Sequence, residues 1–469
     1  MAAGVLGLGG FTWHTGRERL MFRFLVVWLG QVLAGCGSNL ATFCLGIWLY
    51  RQSGSVTQFS LLMFFHTVPS ILLAGVAGRV ADRWNRRRTI MVADAVSALV
   101  ALLYLCMFKA DLAQAWLIYV LAFVGGSMSA FQWPAYRSWS TELVEPRDYG
   151  RIGGIMKLGE GIPFLLGPVL GGLLMDRASL STVFAIDLAA YVAAVGVLAT
   201  VRGHGASPPA ADDVEGPTTA GWAPLIAFLR GRPGLSGLLV LAPFIVFTEG
   251  WVVVLFQLFM LHHVDAAQMG LVLSLGGTGM VVGGVIMGVW GGPRRQVYCV
   301  LGAILVQSIL VGALALTKPG FWLGTTAAFL YFLTIPFLSG SNQAIWQTVT
   351  PSALQGRMFA LRRATESVAT PASMLTAGVL VDFVLVPMLA SDGPFSFVGT
   401  IVPSGAAQGI AVLFLLVMLL NLGFLTFALS YRPLRNVDLL PAAHVNDSAA
   451  AARHGLHTVE AGANPGGSQ

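Results

Sequence analysis

Residues 203–221 read GHGASPPAADDVEGPTTAG, the one long polar, proline- and glycine-rich stretch inside a 469-residue chain that is otherwise a succession of apolar runs. Six runs precede it, at about 21–50, 57–79, 89–108, 113–136, 152–175 and 179–200. Six follow, at about 234–261, 267–290, 297–317, 320–346, 357–389 and 407–430. Each supplies the roughly 20 apolar residues that a helix needs to cross a bilayer core. Membrane-barrel strands would alternate apolar and polar residues, and these runs do not. The expected fold class is all-α integral membrane, with twelve transmembrane helices in two six-helix bundles.

Composition agrees. Hydrophobic residues make up 56% and charged residues 10% of the chain, with mean hydropathy +0.76, against roughly 25% charged residues in soluble domains. A water-soluble fold cannot hide that much apolar surface, which excludes a soluble enzyme. The four cysteines, Cys36, Cys44, Cys106 and Cys299, have neither CxxC spacing nor histidine neighbours, so no metal site or disulfide framework is expected.

Charge gives the orientation. Only Arg51, Lys109, Arg177 and Lys318 of the 27 basic residues fall on one side of the twelve-span arrangement. The other 23 fall on the side of the termini, which the positive-inside bias makes cytoplasmic. The expected organisation is a cytoplasmic N-terminus (1–19), a first bundle (20–202), a cytoplasmic linker (203–233), a second bundle (234–432) and a disordered cytoplasmic tail (433–469). Trp222, Leu225, Ile226, Phe228 and Leu229, followed by Arg230 and Arg232, predict a short interfacial helix within the linker. Arginine far outnumbers lysine, a codon signature of a GC-rich bacterial genome, so the expected location is a bacterial inner membrane, crossed many times.

The halves repeat. A shift of 206 residues carries Gly150, Arg151, Glu160, Gly172, Leu174 and Asp176 onto Gly356, Arg357, Glu366, Gly378, Leu380 and Asp382. A shift of 210 carries Gln58 and Gly78 onto Gln268 and Gly288. An even number of helices per half makes these parallel repeats about an axis along the membrane normal, the plan of a two-bundle transporter with its site at the midplane.

Between the second and third runs stands Gly78-Arg79-Val80-Ala81-Asp82-Arg83-Trp84-Asn85-Arg86-Arg87-Arg88. It resembles motif A of the major facilitator superfamily, G-x-x-x-D-R-x-G-R-R, with Asn85 in place of the usual glycine; asparagine tolerates the left-handed backbone such a turn would use. The copy at Gly288–Arg295 has lost the aspartate. Gly161 and the run Gly167-Pro168-Val169-Leu170-Gly171-Gly172 in the fifth span resemble the glycine- and proline-rich antiporter motif of drug:proton exporters. Gly30-Gln31, Gly37-Ser38, Trp133-Pro134-Ala135 and the segment Gln355–Arg363 are similar to the macrolide-efflux and enterobactin-exporter branch. The resemblance covers residues 20–432. It implies that Asp82 meets the N-terminus of the eleventh span, beside Arg357, and latches the cytoplasmic side of the outward-facing state. Gly78, Arg83, Arg86, Arg87 and Asp94 would complete that cluster.

Ionisable groups at membrane depth cost about 2.5–3.5 kcal/mol or more on insertion scales, so each calls for a role. Glu249, Asp187, Glu160, Glu366 and His66 are the proton-coupling candidates. Glu249 ranks first, because the resemblance implies that the first helix of each half lines the cavity. The same acids could instead cap or pair helices. Gln31, Asn39, Phe43, Gln132, Glu249 and Asn342 are the substrate-cavity candidates. Acids without a midplane lysine or arginine favour neutral or cationic cargo.

The expected function is secondary active efflux of an amphiphilic small molecule, such as a macrolide-like drug or natural product, by proton antiport. A siderophore or peptide exporter, and a lipid or solute importer of the same fold, stay open beside it. HExxH, GxSxG and GxxxxGK[ST] patterns are missing from the sequence, which argues against catalysis and nucleotide drive. The expected partners are a small-molecule substrate and the lipid bilayer, with no nucleic acid, no metal and no cofactor beyond the proton gradient, and the chain is expected to be a monomer.

Overall fold

A computed structural model describes residues 16–201, 222–390, 393, 402 and 407–439, with side chains at all of these except 16–19, 81, 82 and 146. Most of the expected linker and tail, and the side chain of Asp82, therefore lie outside the described residues. Helices dominate: α1 (Gly16–Ser53), α2 (Val56–Leu72), α3 (Ala74–Arg83), α4 (Arg86–Lys109), α5 (Ala115–Glu142), α6 (Tyr149–Met175), α7 (Leu180–Thr200), α8 (Ala223–Arg230), α9 (Pro233–Leu261), α10 (Ala266–Trp290), α11 (Gln296–Ala315), α12 (Phe321–Val349), α13 (Ser352–Val379), α14 (Val386–Leu389), α15 (Gln408–Ser430) and α16 (Arg432–Arg435). A π-helical turn, Leu380–Leu385, joins α13 to α14.

Eleven stretches are individually long and apolar enough to span a membrane among the described residues. The twelfth span is the pair α2 and α3, bent by 53°. Proline and glycine are the usual causes of such a bend, and the break at Leu73 lies between Pro69 and Gly75. The motif residues Gly78 to Arg83 are thus helical, not looped. Asn85 corrects another expectation. Its backbone is extended, at φ −64° and ψ 110°, and its side chain accepts a hydrogen bond from the Arg88 N–H at 3.1 Å. It replaces glycine as the N-cap of α4, a use that suits the short polar side chain, and not by a left-handed turn.

The first bundle packs α1 on α6 and α7, α4 on α5 and α7, and α2 on α5. The second packs α10 on α12, α11 on α12 and α15, and α9 on α13. The expected short helix is α8, whose Leu225 and Leu229 are buried against the second bundle. Between bundles the main pairs are α6 with α10 and α2 with α13, which exchange under the internal repeat.

The hydrophobic core shows where the bundles meet. Toward the C-terminal end of α1, one cluster runs through both, from Leu40 and Phe59 to Phe259, Phe414 and Val417. Toward the N-terminal end of α1 the core splits in two. One part, around Phe24, Trp139 and Ile152, belongs to the first bundle; the other, around Leu235, Trp346 and Met358, belongs to the second. On the joined side the backbones touch. A methyl at Gly172 of α6 would strike the Ala266 carbonyl of α10, and one at Gly270 of α10 would strike the Pro168 carbonyl of α6. Small residues permit such close approach. In the first half of α6, a Cβ at Gly153, Gly154 or Gly161 would meet nothing within 4 Å.

Candidate functional site

Each bundle encloses a cavity holding one acid. Glu249, midway along α9, is half-buried in a cavity of about 250 Å³, its opening included, in the second bundle, with Thr248, Gln307, Tyr331 and Asn421 among its walls. Gln307 Nε2 donates to Glu249 Oε1 at 3.4 Å, and the Thr248 hydroxyl lies 3.2 Å from Asn421 Oδ1. The first-bundle cavity, about 570 Å³ with its opening, is lined by Asp187 and His66 together with Ser38, Ser97, Tyr104 and Tyr191. Asp187 is 6% exposed, and its Oδ1 has no hydrogen-bond partner. Neither acid has an ion pair among the described residues.

The two cavities are repeat-related. The shift of 210 carries the lining residues Ser38, Thr42, Ser97 and Leu121 onto Thr248, Val252, Gln307 and Tyr331. A shift of 230, absorbing the longer final connection, carries Asp187 and Tyr191 onto Val417 and Asn421. The acids themselves do not correspond. Asp187 matches Val417, and Glu249 matches Asn39. Each bundle carries its acid at a place where the other has a neutral residue.

Other candidates are held by partners. Asp94 of α4 is fully buried, accepting from Gln31 Nε2 of α1 at 2.7 Å and from Gln132 Nε2 of α5 at 2.5 Å. Gln132 also donates to Gln31 Oε1 at 2.8 Å. This corrects the expected place of Asp94 in the motif A charge cluster: its carboxylate pins three helices through neutral amides. Gln31 and Gln132 are correspondingly engaged. The partner of Arg86 is Glu142 at the end of α5, which sequence reasoning missed; its signal was an acid closing a span on the same side of the twelve-span arrangement as Arg86, Arg87 and Arg88. Arg87 donates to the carbonyls of Leu198 and Ala199 at 2.8 and 2.9 Å, completing the C-terminus of α7 as a cation does well. Gly78 and Arg83 lie on α3, and Arg357 lies near the start of α13.

Glu160 and Glu366 each pair on their own helix, Glu160 with Lys157 at 2.6 Å and Glu366 with Arg362 at 2.7 Å. Gln343 adds a 3.1 Å contact to Arg362. Asn39 is exposed, bonded to the Gly35 carbonyl at 3.0 Å. Phe43 and Asn342, expected in the cavity, are buried in the packed interior. Phe43 lies against Gly171, and Asn342 accepts from Trp346 Nε1 at 3.1 Å. Of the antiporter-motif helix, Gly167 and Gly171 pack on Asn39 and Phe43 of α1, Gly172 and Pro168 meet α10, and Gly161 faces open space.

Comparison with known proteins adds relatives. The family model described as Major Facilitator Superfamily matches residues 27–374. Macrolide efflux protein A of Streptococcus pyogenes is 23% identical over 367 residues, which are 77% of this chain and 89% of that protein. The multidrug efflux pump Tap of Mycolicibacterium fortuitum is 24% identical over 375 residues, 76% and 89% of the two chains. Among solved structures, a bacterial homolog of the human lysosomal transporter Spinster, in its inward-facing and unoccupied conformation, superposes with TM-score 0.63 at 15% identity. That match covers 90% of this chain and 98% of the other.

Proposed function

The chain belongs to the major facilitator superfamily, and we propose that it exports amphiphilic small molecules, such as a macrolide-like drug or natural product, in exchange for protons. The observation that carries this reading is Glu249: a carboxylate inside the second bundle whose hydrogen-bond partner is a neutral amide. An intramembrane carboxylate with no counter-charge among the described residues can take up or release a proton without breaking an ion pair. The names of the relatives, macrolide and multidrug efflux, support the outward direction.

The division of the core supports alternating access. Bundles joined at one end and parted at the other open their shared space to one side at a time. With the basic face cytoplasmic, as the positive-inside bias requires, the parted end faces the cytoplasm. In the proposed cycle, cargo enters from there and displaces a proton from Glu249. The bundles then rock, and a proton from outside resets the site as cargo leaves. One proton releases about 1.4 kcal/mol per pH unit and about 2.3 kcal/mol per 100 mV. For a neutral cargo these together would sustain a gradient of roughly several hundredfold; for a singly charged cation the electrical part cancels in one-for-one exchange, leaving about tenfold per pH unit.

The test is uptake into inverted vesicles under an imposed pH gradient, screened over macrolides, peptides and iron chelators. Wild-type protein should concentrate at least one amphiphile. Glu249→Gln should abolish gradient-driven uptake while leaving downhill exchange of the same compound. Undiminished gradient-driven uptake by Glu249→Gln would remove proton exchange at this residue.

A further inference from the structure

We propose that the first-bundle cavity seats a protonated amine of the exported molecule against Asp187, a reading that rests on the export function above and names its cargo more narrowly.

The starting point is an unmet bond. Buried polar atoms in folded proteins are almost always satisfied, yet Asp187 Oδ1 is buried without a donor. Oδ1 is packed against the backbone of α1 at Gly37, and the residue meets the cavity with the rest of its side chain. A Cβ built on Gly37 would sit 2.9 Å from Oδ1, closer than such atoms tolerate. The ionisable groups facing Asp187 from the walls are His66 of α2, Tyr104 of α4 and Tyr191 of α7. They provide hydroxyls and one imidazole, but no permanent cation. A buried carboxylate of this kind is best satisfied by a ligand that brings both a positive charge and an N–H.

The walls suit such a head group. Tyr104 stacks on Phe184 at 4.7 Å between centroids, and its hydroxyl is spent on the Ile118 carbonyl at 2.9 Å, which leaves its ring as an aromatic surface. Aromatic faces attract alkylated ammonium groups. The repeat-related cavity around Glu249 is less than half as large, and its acid already holds an amide donor. The twin cavities thus divide the work: Glu249 exchanges the proton, and Asp187 reads the charge on the cargo. A secondary or tertiary amine, which keeps an N–H when protonated, fits better than a quaternary ammonium.

Equilibrium binding to the purified full chain in nanodiscs tests this, with three probes of one amphiphilic skeleton: tertiary amine, methylated quaternary ammonium and neutral amide. Wild-type protein should bind the tertiary amine at least tenfold more tightly than the amide, with the quaternary form between them. Asp187→Asn should erase that preference at unchanged amide affinity, and Asp187→Glu should keep part of it. On unmodified protein, the tertiary amine should shield Asp187 from carbodiimide labelling, read by peptide mass, while labelling of the exposed Asp265, outside both cavities, continues. Equal binding of amine and amide, no binding of either, parallel loss of both in Asp187→Asn, or unshielded Asp187 overturns the proposal. Binding needs no gradient, so failure of vesicle uptake with the amine preference intact would instead count against the export reading alone.

Discussion

The Asp382 carboxylate, in the second bundle, accepts a hydrogen bond at 2.8 Å from the backbone N–H of Thr57, in the first turn of α2 in the first bundle. The Ser55 hydroxyl donates to it at 2.7 Å and the Val56 N–H at 3.3 Å. Asp382 thereby supplies, from the other bundle, an anion for the exposed N–H groups at the start of α2, where the helix dipole also favours negative charge. It stands in the π-helical turn after α13. The contact is the mirror of the one expected from motif A, in which Asp82, at the end of the span formed by α2 and α3, meets the start of α13. The same two spans would be fastened at opposite ends in opposite states, each time by a carboxylate on a helix N-terminus.

Replacing Asp382 with Asn should loosen the end where the bundles join. A carboxylate at a helix N-terminus contributes about 0.5–2 kcal/mol, enough to shift the balance of states by severalfold. Spin labels on the exposed Gln52 and Asp265, in a background without the native cysteines, should report a larger population of long distances in Asp382→Asn. An unaltered distance distribution would show that apolar packing alone holds this end.

The glycines of α6 should separate by what they touch. Gly172→Leu places a large side chain where the Ala266 carbonyl lies, so it should prevent closure of that end and abolish transport. Gly161→Ala fills open space and should leave uptake within about twofold, since small helix substitutions away from contacts have little effect. Similar losses in both variants would mean that the motif acts through helix flexibility and not through contact.

Much of this was legible in the sequence because the bilayer forces it to be. A span must be apolar over its whole length, so twelve runs and a polar divide announce the two bundles. Acids inside those runs are conspicuous for the same reason, and Asp187 and Glu249 were both found this way. Their cavities were not, because whether an acid faces a void or a neighbouring amide depends on tertiary packing. Asp94 illustrates the limit. Seven residues separate it from Arg87, about 10 Å along a helix axis, too far for an ion pair, and only the packed bundle shows Gln31 and Gln132 converging on it. Glu160 was half-legible. Its depth suggested coupling, while Lys157 three residues earlier already offered a partner.

Asp94→Ala should destabilise the first bundle. It leaves the Gln31 and Gln132 amides without their shared acceptor, at a cost of about 1–3 kcal/mol for each unsatisfied buried group. Thermal unfolding in detergent should register a clear fall in midpoint, and a smaller fall for Asp94→Asn, which keeps one acceptor. Asn39→Ala, at an exposed position bonded within its own helix, is the control. A fall for Asp94→Ala no greater than for Asn39→Ala would deny the three-helix staple.

Glu160 and Glu366 should prove dispensable for proton coupling. Each is already balanced by a cation on its own helix, at 2.6 Å from Lys157 and 2.7 Å from Arg362. Neither acid lines the cavity of Glu249 or that of Asp187, and partly exposed pairs contribute only about 0.2–1 kcal/mol to stability. Glu160→Gln and Glu366→Gln should therefore retain more than half of gradient-driven uptake and unfold within a few degrees of wild type. Glu249→Gln, which lacks any such pairing to lose, should not. If Glu160→Gln or Glu366→Gln instead uncouples uptake from the pH gradient as fully as Glu249→Gln, the ion pairs must open during transport, and the proton path runs along α6 or α13 as well as through the second-bundle cavity.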